Sequence, residues 1–441
     1  MNKYYLEKLD QQQVNDLTKR PAINFERTFE VVKTVMNDVK NGGDEAIKSY
    51  SEKFDGIRLK EFLVDKEEIE EAEKRIPEET KTAFKLAAKN IGKFHKAARS
   101  EGCNLVETIK GVTCFTKTIG IEKVGLYIPG GTAPLPSTVL MLAIPARLAG
   151  CRKIILCTPP QKDGTVADII LYAAKIAGVT KIFKIGGAQA IAAMAYGSES
   201  VPKVYKIFGP GNQYVTAAKM LASIDPEGAA MDLPAGPSEV LVIADENANA
   251  DFVAADLLSQ AEHGIDSQVV LVCTDESKSE EILFELAKQL ESLPRKDIAA
   301  KALEKSFCLM VEGNSAKEKL DKAMDFSNKY APEHLIINTV NVDLYAKKVI
   351  NAGSVFIGQF SCESAGDYAS GTNHTLPTYG YARMYSGVSI DSFVRKITFQ
   401  KLTKEGIRNL GETVEIMAET EGLQAHKNAM TVRMRAINNS K

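Results

Sequence analysis

Along roughly the first quarter of the chain, hydrophobic positions recur at the three- and four-residue spacing of helices. The clearest helical segments span residues 29–39, 67–74 and 79–98. This spacing puts apolar side chains on one face of a helix, which then packs against a core. The pattern therefore predicts a mostly helical region that extends to about Gly120, with His95 packed inside it as a structural histidine.

From Lys123 the pattern changes to short apolar runs that alternate with helical segments. Apolar runs at 124–128, 153–157 and 181–185 are separated by helical patterns, and a second alternating set begins at 239–244. Strands about 30 residues apart with a helix between them are typical of βαβ units, which form parallel sheets. We therefore expect an α/β protein with two doubly wound, incomplete Rossmann-like domains and small helical appendages at both termini.

The change in pattern also predicts where the domains begin and end. We expect an N-terminal helical arm (1–24), a main α/β domain built from two segments (25–122 and 238–385), an inserted Rossmann-like domain (123–237) and a C-terminal appendage (386–441). The appendage has the pattern of one strand and two helices that end near Ala436. Residues 363–381 are polar and rich in glycine, which predicts a long loop, and long loops in compact domains are usually functional.

Three glycine-rich turns follow predicted strands of the inserted domain, at 129–134 (PGGTAP), 186–189 (GGAQ) and 209–212 (GPGN). Each turn leads into a helix, where bare backbone N–H groups suit a phosphate. None has the full Gly-x-Gly-x-x-Gly pattern with its acidic partner, and any one of them is also explained as a tight strand–helix turn. Three at successive strand ends of one sheet predict a ligand crevice.

The overall composition excludes several classes of protein. The chain has 441 residues and a formal net charge of -2 without a long basic run, which argues against nucleic acid as the main partner. Its apolar runs are shorter than the roughly 18 residues of a membrane span, and the polar N-terminus lacks the apolar core of a signal peptide. The 7 cysteines never form a Cys-x-x-Cys pair, so we interpret them as reduced, buried thiols of a cytoplasmic protein.

Gln260 and His263 lie three residues apart, where an apolar helical pattern ends at Gly264. On a helix they share a face, so an amide oxygen and an imidazole can hold two corners of a metal site. The alternative is a polar last turn whose histidine interacts with the helix carbonyls. Together with an aspartate such as Asp367, and with His426, they would form a nitrogen and oxygen set suited to zinc.

Glu333 and His334 are adjacent and directly precede an apolar strand. Their side chains diverge, so each can serve a different proton transfer. The alternative is a solvated polar pair in a loop.

Several segments together resemble the histidinol dehydrogenase family. They are 232–239 (DLPAGPSE), 258–263 (LSQAEH), 331–335 (APEHL), 364–374 (SAGDYASGTNH) and 421–426 (EGLQAH). The resemblance extends from about Arg20 to the C-terminus. The family oxidises histidinol to histidine through the aldehyde with two NAD⁺, in the last steps of histidine biosynthesis.

The resemblance implies a role for each of the matching residues. It implies zinc bound by Gln260, His263, Asp367 and His426, in a site where the ion orients the substrate. His334 would accept the alcohol proton, and Glu333 would activate the water that adds to the aldehyde.

The resemblance also implies binding residues and a partner. Ser238 and Glu421 would complete the substrate pocket beside His334 and the zinc ligands, while His374 would have a structural or supporting role. The implied NAD contacts are Tyr127, Gln189 and Asn212. The family forms a homodimer in which the C-terminal appendage crosses over, so Glu421 and His426 would complete the partner's site.

Other functions remain open at this point. A related zinc and NAD dehydrogenase of the same fold could act on another polar alcohol. A zinc hydrolase could use Glu333 as its base, although the chain has no His-Glu-x-x-His segment and the glycine turns would be unused. A non-catalytic NAD- or zinc-binding module would have no need of Glu333 and His334.

Overall fold

The computed structural model describes residues 1–20, 25–98, 105–130, 134–234 and 236–439. The strands are β1 (Asn2–Tyr5), β2 (Val106–Ile109), β3 (Val112–Gly120), β4 (Lys123–Tyr127), β5 (Lys153–Thr158), β6 (Lys181–Lys184), β7 (Lys206–Phe208), β8 (Ala230–Met231), β9 (Glu239–Ala244), β10 (Gln268–Cys273), β11 (Phe307–Met310), β12 (His334–Asn338), β13 (Ser354–Ile357) and β14 (Val394–Leu402). The α-helices are α1 (Gln11–Leu17), α2 (Phe25–Asp55), α3 (Lys66–Arg75), α4 (Glu78–Ala98), α5 (Pro136–Ala149), α6 (Asp168–Ala177), α7 (Gly187–Tyr196), α8 (Gln213–Ile224), α9 (Ala250–Ala261), α10 (Glu276–Leu290), α11 (Lys296–Glu304), α12 (Ala316–Tyr330), α13 (Val342–Ala346), α14 (Glu363–Tyr368), α15 (Lys404–Thr420) and α16 (Gln424–Asn438).

The predicted α/β class with two parallel sheets is confirmed. The larger sheet has six parallel strands in the order β1-β11-β10-β9-β12-β13. The N-terminal segment was predicted to be a helical arm, but it begins with a strand of this sheet. Tyr4 packs edge-on against Phe307 with ring centroids 6.0 Å apart. A four-residue edge strand is too short for its period to be read from the sequence.

The second sheet has five parallel strands in the order β6-β5-β4-β7-β8. Helix α2 packs with α7 and α8 on one face, while α3 and α4 pack with α5 and α6 on the other. We expected segment 25–122 to belong to the domain of the larger sheet, but its helices cover the five-stranded sheet. The reason is that their buried faces, such as Val35 and Ile91, join the two cores of that sheet. Amphipathic spacing predicts a buried face but not the sheet that buries it.

A small antiparallel sheet, β14-β3-β2, joins the C-terminal appendage to the rest of the chain. The strand and two helices predicted for the appendage are confirmed. The helical prediction is wrong for residues 106–120, which form a hairpin through Gly111 and then pair with β14. Phe115 and Phe399 stack across that pair with centroids 5.0 Å apart. This pairing partner lies almost 300 positions away, so local sequence could not reveal it.

The isolated thiols and His95 provide further tests of the sequence predictions. Cys151, Cys157, Cys273 and Cys308 are buried free thiols as expected, whereas Cys114 is half-buried and Cys362 is exposed. Cys103 lies outside the described residues. His95 is buried in α4, as predicted, and no described residue hydrogen-bonds to its ring. None of the described helices combines the length and the apolar character needed to cross a bilayer.

Candidate active site

A cavity of about 270 Å³ lies where the two parallel sheets face each other. One wall comes from the edge at which the strands of the five-stranded sheet end, called here the carboxyl edge. It contributes Gly209 after β7 and Asp232 after β8. The other wall comes from the edge at which the strands of the six-stranded sheet begin, called here the amino edge. It contributes Ser238 before β9 and Glu333 with His334 at the start of β12.

Helix α9 brings Gln260 and His263 to the amino edge. It connects the parallel strands β9 and β10, so its C-terminal end returns to the edge where strands begin. Asn249 caps its start by accepting a hydrogen bond from the backbone of Phe252 at 3.2 Å. The predicted face is confirmed, because Gln260 Nε2 and His263 Nδ1 are 3.0 Å apart. The helix ends at Ala261 rather than at the predicted Gly264, and the last turn carries His263 into the cavity.

The short helix α14 supplies Asp367, although residues 363–381 were predicted to be a loop. Gly366 lets the helix lie against Phe356, since a Cβ there would be 2.5 Å from the phenyl ring. This packing brings Asp367 Oδ1 to 3.4 Å from His334 Nε2. Glu363, four residues before Asp367, is buried on the same helix. Its spacing from Asp367 would have revealed it if the segment had been read as helical.

Glu333 and His334 are both buried, which excludes the solvated pair considered above. Glu333 Oε2 accepts a hydrogen bond from the backbone N–H of Glu239 at 2.9 Å and lies 3.6 Å from His334 Nδ1. His334 Nδ1 is 3.3 Å from the Glu239 carbonyl oxygen, so Nδ1 can donate there and leave Nε2 facing Asp367. The ring also stacks on Phe356 with centroids 5.9 Å apart.

Burial and the surrounding charges raise the pKa of both residues of this pair. Burial raises the pKa of Glu333 to about 8. Burial alone lowers the pKa of His334, but the nearby carboxylates of Glu363, Glu333 and Asp367 outweigh it and raise the pKa to about 10. Burial also raises the pKa of Glu363 well above its ordinary value. Asp367 behaves differently, because its contact with His334 overcomes burial and lowers its pKa. Such strongly shifted groups around one cavity are typical of functional sites.

A buried ion pair between Arg20 and Glu239 lies next to Glu333 and His334. Glu239 holds both residues through its backbone, and its side chain accepts hydrogen bonds from Arg20 Nε and from the backbone N–H of Tyr379, each at 2.6 Å. The guanidinium of Arg20 also lies 3.6 Å from the ring centre of Tyr330. Sequence reasoning missed this pair, because Arg20 and Glu239 are more than 200 positions apart.

The three residues predicted to contact NAD lie at the carboxyl edge. Their side chains form hydrogen bonds with other parts of the chain. Tyr127 is buried, and its hydroxyl accepts a hydrogen bond from the backbone N–H of Gly187 at 3.1 Å. Gln189 is also buried and donates from Nε2 to Asp55 at 3.4 Å. Asn212 is exposed and caps α8 by accepting from the backbone of its first turn. Tyr127 and Gln189 are therefore brought together around the turn at Gly187, and Asn212 lies at the neighbouring strand end.

The turn after β7 requires glycine at residue 209. Its φ is +124°, and a Cβ would lie 2.1 Å from the carbonyl oxygen of Tyr127. Its backbone N–H donates to Asp232 at 2.8 Å, and Lys219 donates to its carbonyl oxygen at 2.8 Å. Lys219 and Asp232 also form a buried ion pair that sequence reasoning missed. The predicted phosphate turns at 186–189 and 209–212 have the expected strand–turn–helix form. In the turn at 129–134, residues 131–133 lie outside the described residues.

The remaining predicted residues divide between the cavity and the surface. Ser238 and His374 line the cavity, and so does Arg295, which the sequence did not suggest. Glu421 and His426 are exposed at the junction of α15 and α16 and do not line the cavity formed by the described residues of one chain.

The residues present fit a bound metal ion. One ligand atom each from His263, Glu363 and Asp367 lies within 4.8 Å of the other two. Within the described chain, Gln260 Oε1 and Glu363 Oε2 are buried without any hydrogen-bond partner. A buried acceptor left without a donor costs about 1–3 kcal/mol, and more if it is charged. A cation between these oxygens would remove that cost.

Comparison with known proteins places the chain in a family. The histidinol dehydrogenase family model matches residues 18–434. The chain is 58% identical over 422 residues to histidinol dehydrogenase of Bacteroides thetaiotaomicron, covering 96% of both sequences. It is 54% identical over 438 residues to the chloroplastic histidinol dehydrogenase of Arabidopsis thaliana, covering 99% of this chain and 92% of that protein. The crystal structure of histidinol dehydrogenase from Elizabethkingia anophelis superposes with a TM-score of 0.94 at 52% identity, with 99% of each chain covered. The chain belongs to the histidinol dehydrogenase family.

Proposed function

We propose that this chain oxidises histidinol through the aldehyde to histidine, with NAD⁺ and zinc, in the cavity between the two sheet edges. The observation that carries the proposal is that Glu333, His334, His263 and Asp367 all line one cavity. The matching family and the similar protein of Bacteroides thetaiotaomicron are both named histidinol dehydrogenase, which agrees with this reaction.

We assign the ion to Gln260, His263 and Asp367 of one chain and His426 of a second copy. The orphaned oxygen of Gln260 and the cluster of His263 with Asp367 support this set. When bound, zinc would hold the imidazole and amine of the substrate in place, and NAD⁺ would be the hydride acceptor.

His334 is assigned as the base that accepts the alcohol proton at Nε2. In the neutral ring, the contact of Nδ1 with the Glu239 carbonyl favours the tautomer that leaves Nε2 free to accept. A dication bound at Asp367 would offset the carboxylates that raise the pKa of His334 to about 10, and would so favour the neutral ring. The carboxylates of Glu333 and Asp367, 3.6 Å and 3.4 Å from the ring nitrogens, stabilise the imidazolium that results. A carboxylate plays the same supporting role toward histidine in hydrolytic triads.

Glu333 is assigned to the second oxidation, where it takes a proton from the water that adds to the aldehyde. Its raised pKa of about 8 makes it a stronger base than an ordinary carboxylate. General bases are most effective when their pKa lies near the working pH. Glu333 lies on the Nδ1 side of the His334 ring, whereas Nε2 faces Asp367, so each residue can serve one half of the reaction.

The substrate would be bound by groups of the amino edge together with groups of the second copy. We assign Ser238, His334 and the zinc ligands Gln260, His263, Asp367 and His426 to this role, together with Glu421, whose carboxylate suits a cationic amine. We assign Tyr127, Gln189 and Asn212 to the dinucleotide, since all lie at strand ends of the carboxyl edge, where helix N-termini favour phosphate.

We propose that the working form is a homodimer whose sites are shared. The junction of α15 and α16 exposes Ile416, Met417 and Leu423 beside Glu421 and His426. Exposed apolar groups of this kind are typical of surfaces that a second chain covers. The free thiols among the described cysteines suit a reducing compartment, and we propose the cytoplasm.

The direct test is the stoichiometry of the reaction with histidinol. Purified protein should form two NADH for each histidine, and a zinc chelator should abolish the activity until zinc is restored. One NADH for each substrate molecule would indicate a simple alcohol dehydrogenase. Activity that is unaffected by complete zinc removal would overturn the metal assignment.

Subunit sharing has its own test. Inactive His426→Ala and inactive His334→Ala proteins are mixed under conditions that exchange subunits. If sites are shared, a mixed dimer holds one site with both intact residues, and part of the activity returns. No recovery after verified exchange would place each site within one chain.

A further inference from the structure

The side-chain oxygen of Gln189 lies in a gap at the start of α7. Gln189 is fully buried, and its Oε1 has no hydrogen-bond partner within the described residues. A Cβ built at Gly187 would lie 2.7 Å from this oxygen, so the gap is open because residue 187 has no side chain. A buried acceptor that faces a gap suits a donor on a bound molecule.

Asp55, the last residue of α2, fixes the direction in which this amide points. Gln189 Nε2 donates to Asp55 Oδ2 at 3.4 Å. An ionised carboxylate only accepts hydrogen bonds, so the amide turns its NH₂ group to Asp55 and its oxygen toward Gly187. Burial raises the pKa of Asp55 to about 6, and the contact with Gln189 opposes that rise. The carboxylate is therefore mostly ionised at neutral pH.

The order of the strands indicates which half of the dinucleotide would lie at Gln189. The candidate active site takes Gly209 and Asp232 from the ends of β7 and β8. In the order β6-β5-β4-β7-β8, Gln189 follows β6 at the opposite end of the sheet. A nicotinamide in the cavity leaves the rest of the dinucleotide to extend across β4 toward β5 and β6, which brings the adenosine half to Gln189.

The acid that usually binds this half is missing from the strand that usually carries it. In dinucleotide-binding sheets, an acid after the second strand accepts a hydrogen bond from the 2′-hydroxyl of the adenosine ribose. Here the second strand is β5, which runs from Thr158 into two prolines. The first acid after it is the exposed Asp163, which accepts from the backbone N–H of Thr165 at 3.0 Å in its own turn. Asp55 instead brings a carboxylate to this end of the sheet from α2, which packs on α7.

We propose that Asp55 and Gln189 form a subsite for the adenosine ribose that selects NAD⁺ over NADP⁺. The 2′-hydroxyl of NAD⁺ donates to Gln189 Oε1. The 2′-phosphate of NADP⁺ is repelled by the carboxylate of Asp55 and leaves Oε1 without a donor. Like charges repel more strongly in a partly buried site than in water, so one carboxylate suffices for the selection. This proposal rests on the proposed dinucleotide site.

Direct binding to the intact protein tests the subsite without relying on turnover. Dissociation constants of NAD⁺ and NADP⁺ are measured by isothermal titration for wild type, Asp55→Asn and Asp163→Asn, in a buffer in which Asp55 is ionised. Asp55→Asn keeps an acceptor for the Gln189 amide but removes the charge. Asp163→Asn is the matched control, because it removes an exposed charge that follows β5. Asp55→Ser is a second variant without the charge, and thermal melts verify that each protein is folded.

Wild type should bind NAD⁺ far more tightly than NADP⁺. Asp55→Asn and Asp55→Ser should reduce this preference about 10- to 100-fold, mainly by tightening NADP⁺ binding, because a like-charge contact is lost. Asp163→Asn should leave the preference unchanged. An unchanged preference in the folded Asp55 variants, or an equal effect of Asp163→Asn, would overturn the proposal. Equal weakening of both dinucleotides would also overturn it, because it would show that Asp55 is purely structural.

A modified ligand provides a second measurement on wild type alone. NAD⁺ that lacks the adenosine 2′-hydroxyl should bind about 10-fold more weakly than NAD⁺, because Gln189 Oε1 then has no donor. Equal binding of the two ligands would place the ribose away from Gln189 and overturn the subsite. Wild type that binds neither NAD⁺ nor NADP⁺ would overturn the proposed function as well. If wild type reduces NAD⁺ with histidinol but the Asp55 variants keep its preference, only the subsite falls.

Discussion

The two parallel sheets of this chain contribute opposite edges to one cavity, and the edges differ in chemistry. The carboxyl edge of the five-stranded sheet brings a glycine turn and a helix N-terminus to the cavity, at Gly209 and at the start of α8, where Asp232 and Asn212 accept from the backbone N–H groups. The amino edge of the six-stranded sheet offers acids and imidazoles, such as Glu333, His334 and Asp367. Backbone N–H groups suit a phosphate, whereas titratable side chains suit a metal and proton transfer. This difference supports the proposal that dinucleotide binding and chemistry are divided between the edges.

The two edges can also be compared by how their polar groups are satisfied. On the carboxyl edge the Asn212 side chain is satisfied within the fold, accepting from the first turn of α8, and Lys219 pairs with Asp232. On the amino edge Gln260 and Glu363 each keep a buried oxygen without a partner among the described residues. Gln189 on the carboxyl edge also keeps a buried oxygen without a hydrogen-bond partner among the described residues. Unsatisfied buried groups are costly to folding, so each edge holds a group that a bound ligand could satisfy.

The largest expected effect on this comparison is that of His334→Gln. Removing the proposed base should lower kcat for histidinol oxidation about 10²- to 10⁴-fold, because a positioned general base contributes that much. Binding of NAD⁺, assigned to the other edge, should stay unchanged when measured by titration. His374→Gln is the control, since His374 also lines the cavity, and it should cost far less activity. Equal losses for the two variants would show that His334 has no special role.

The second prediction separates the two halves of the reaction within the amino edge. Glu333→Gln keeps an acceptor for the Glu239 N–H but removes the base, so oxidation of the supplied aldehyde should slow about 10²-fold. The alcohol half, followed in a single turnover with histidinol, should slow much less. An equal slowing of both halves would contradict this assignment of Glu333.

The third prediction concerns the carboxyl edge. Gly209→Ala places a Cβ 2.1 Å from the Tyr127 carbonyl oxygen, so the turn must shift. We expect weaker NAD⁺ binding and a loss of about 1–3 kcal/mol of stability, while zinc content stays normal. The control is Gly150→Ala, which also has positive φ but no atom within 4 Å of the added Cβ. If both variants bind NAD⁺ normally, this turn does not contact the dinucleotide.

The smallest effect is expected from His95, the histidine that packs with the five-stranded sheet. Burial lowers its pKa to about 4, so the folded protein holds the neutral ring. The contribution of the neutral His95 ring to the free energy of unfolding is fully present above the unfolded-state pKa of about 6.5. This contribution is lost as the pH falls toward 4, by at most about 1.4 kcal/mol per pH unit. His95→Leu should flatten this part of the pH dependence in denaturant titrations and leave kcat unchanged. An unchanged pH dependence would mean that the ring is already charged or solvated.

The sequence predicted which residues meet at the amino edge better than it predicted the architecture around them. Local spacing correctly put Gln260 beside His263, because three residues on a helix define a face. Long-range features could not be read in this way. The Arg20–Glu239 pair and the pairing of β3 with β14 join residues hundreds of positions apart. Glu363 was missed for a different reason, since residues 363–381 were interpreted as a loop although the first six of them form a helix that packs against Phe356.

The central claim is that the ion and the dinucleotide meet in the cavity between the two edges. The most direct test is a crystal structure of the zinc-loaded protein with NAD⁺ and histidinol, with anomalous scattering measured at the zinc absorption edge. The account predicts an anomalous peak in contact with His263 and Asp367, and the nicotinamide ring beside His334. A peak elsewhere, or a dinucleotide bound away from Gly209 and the cavity, would contradict it.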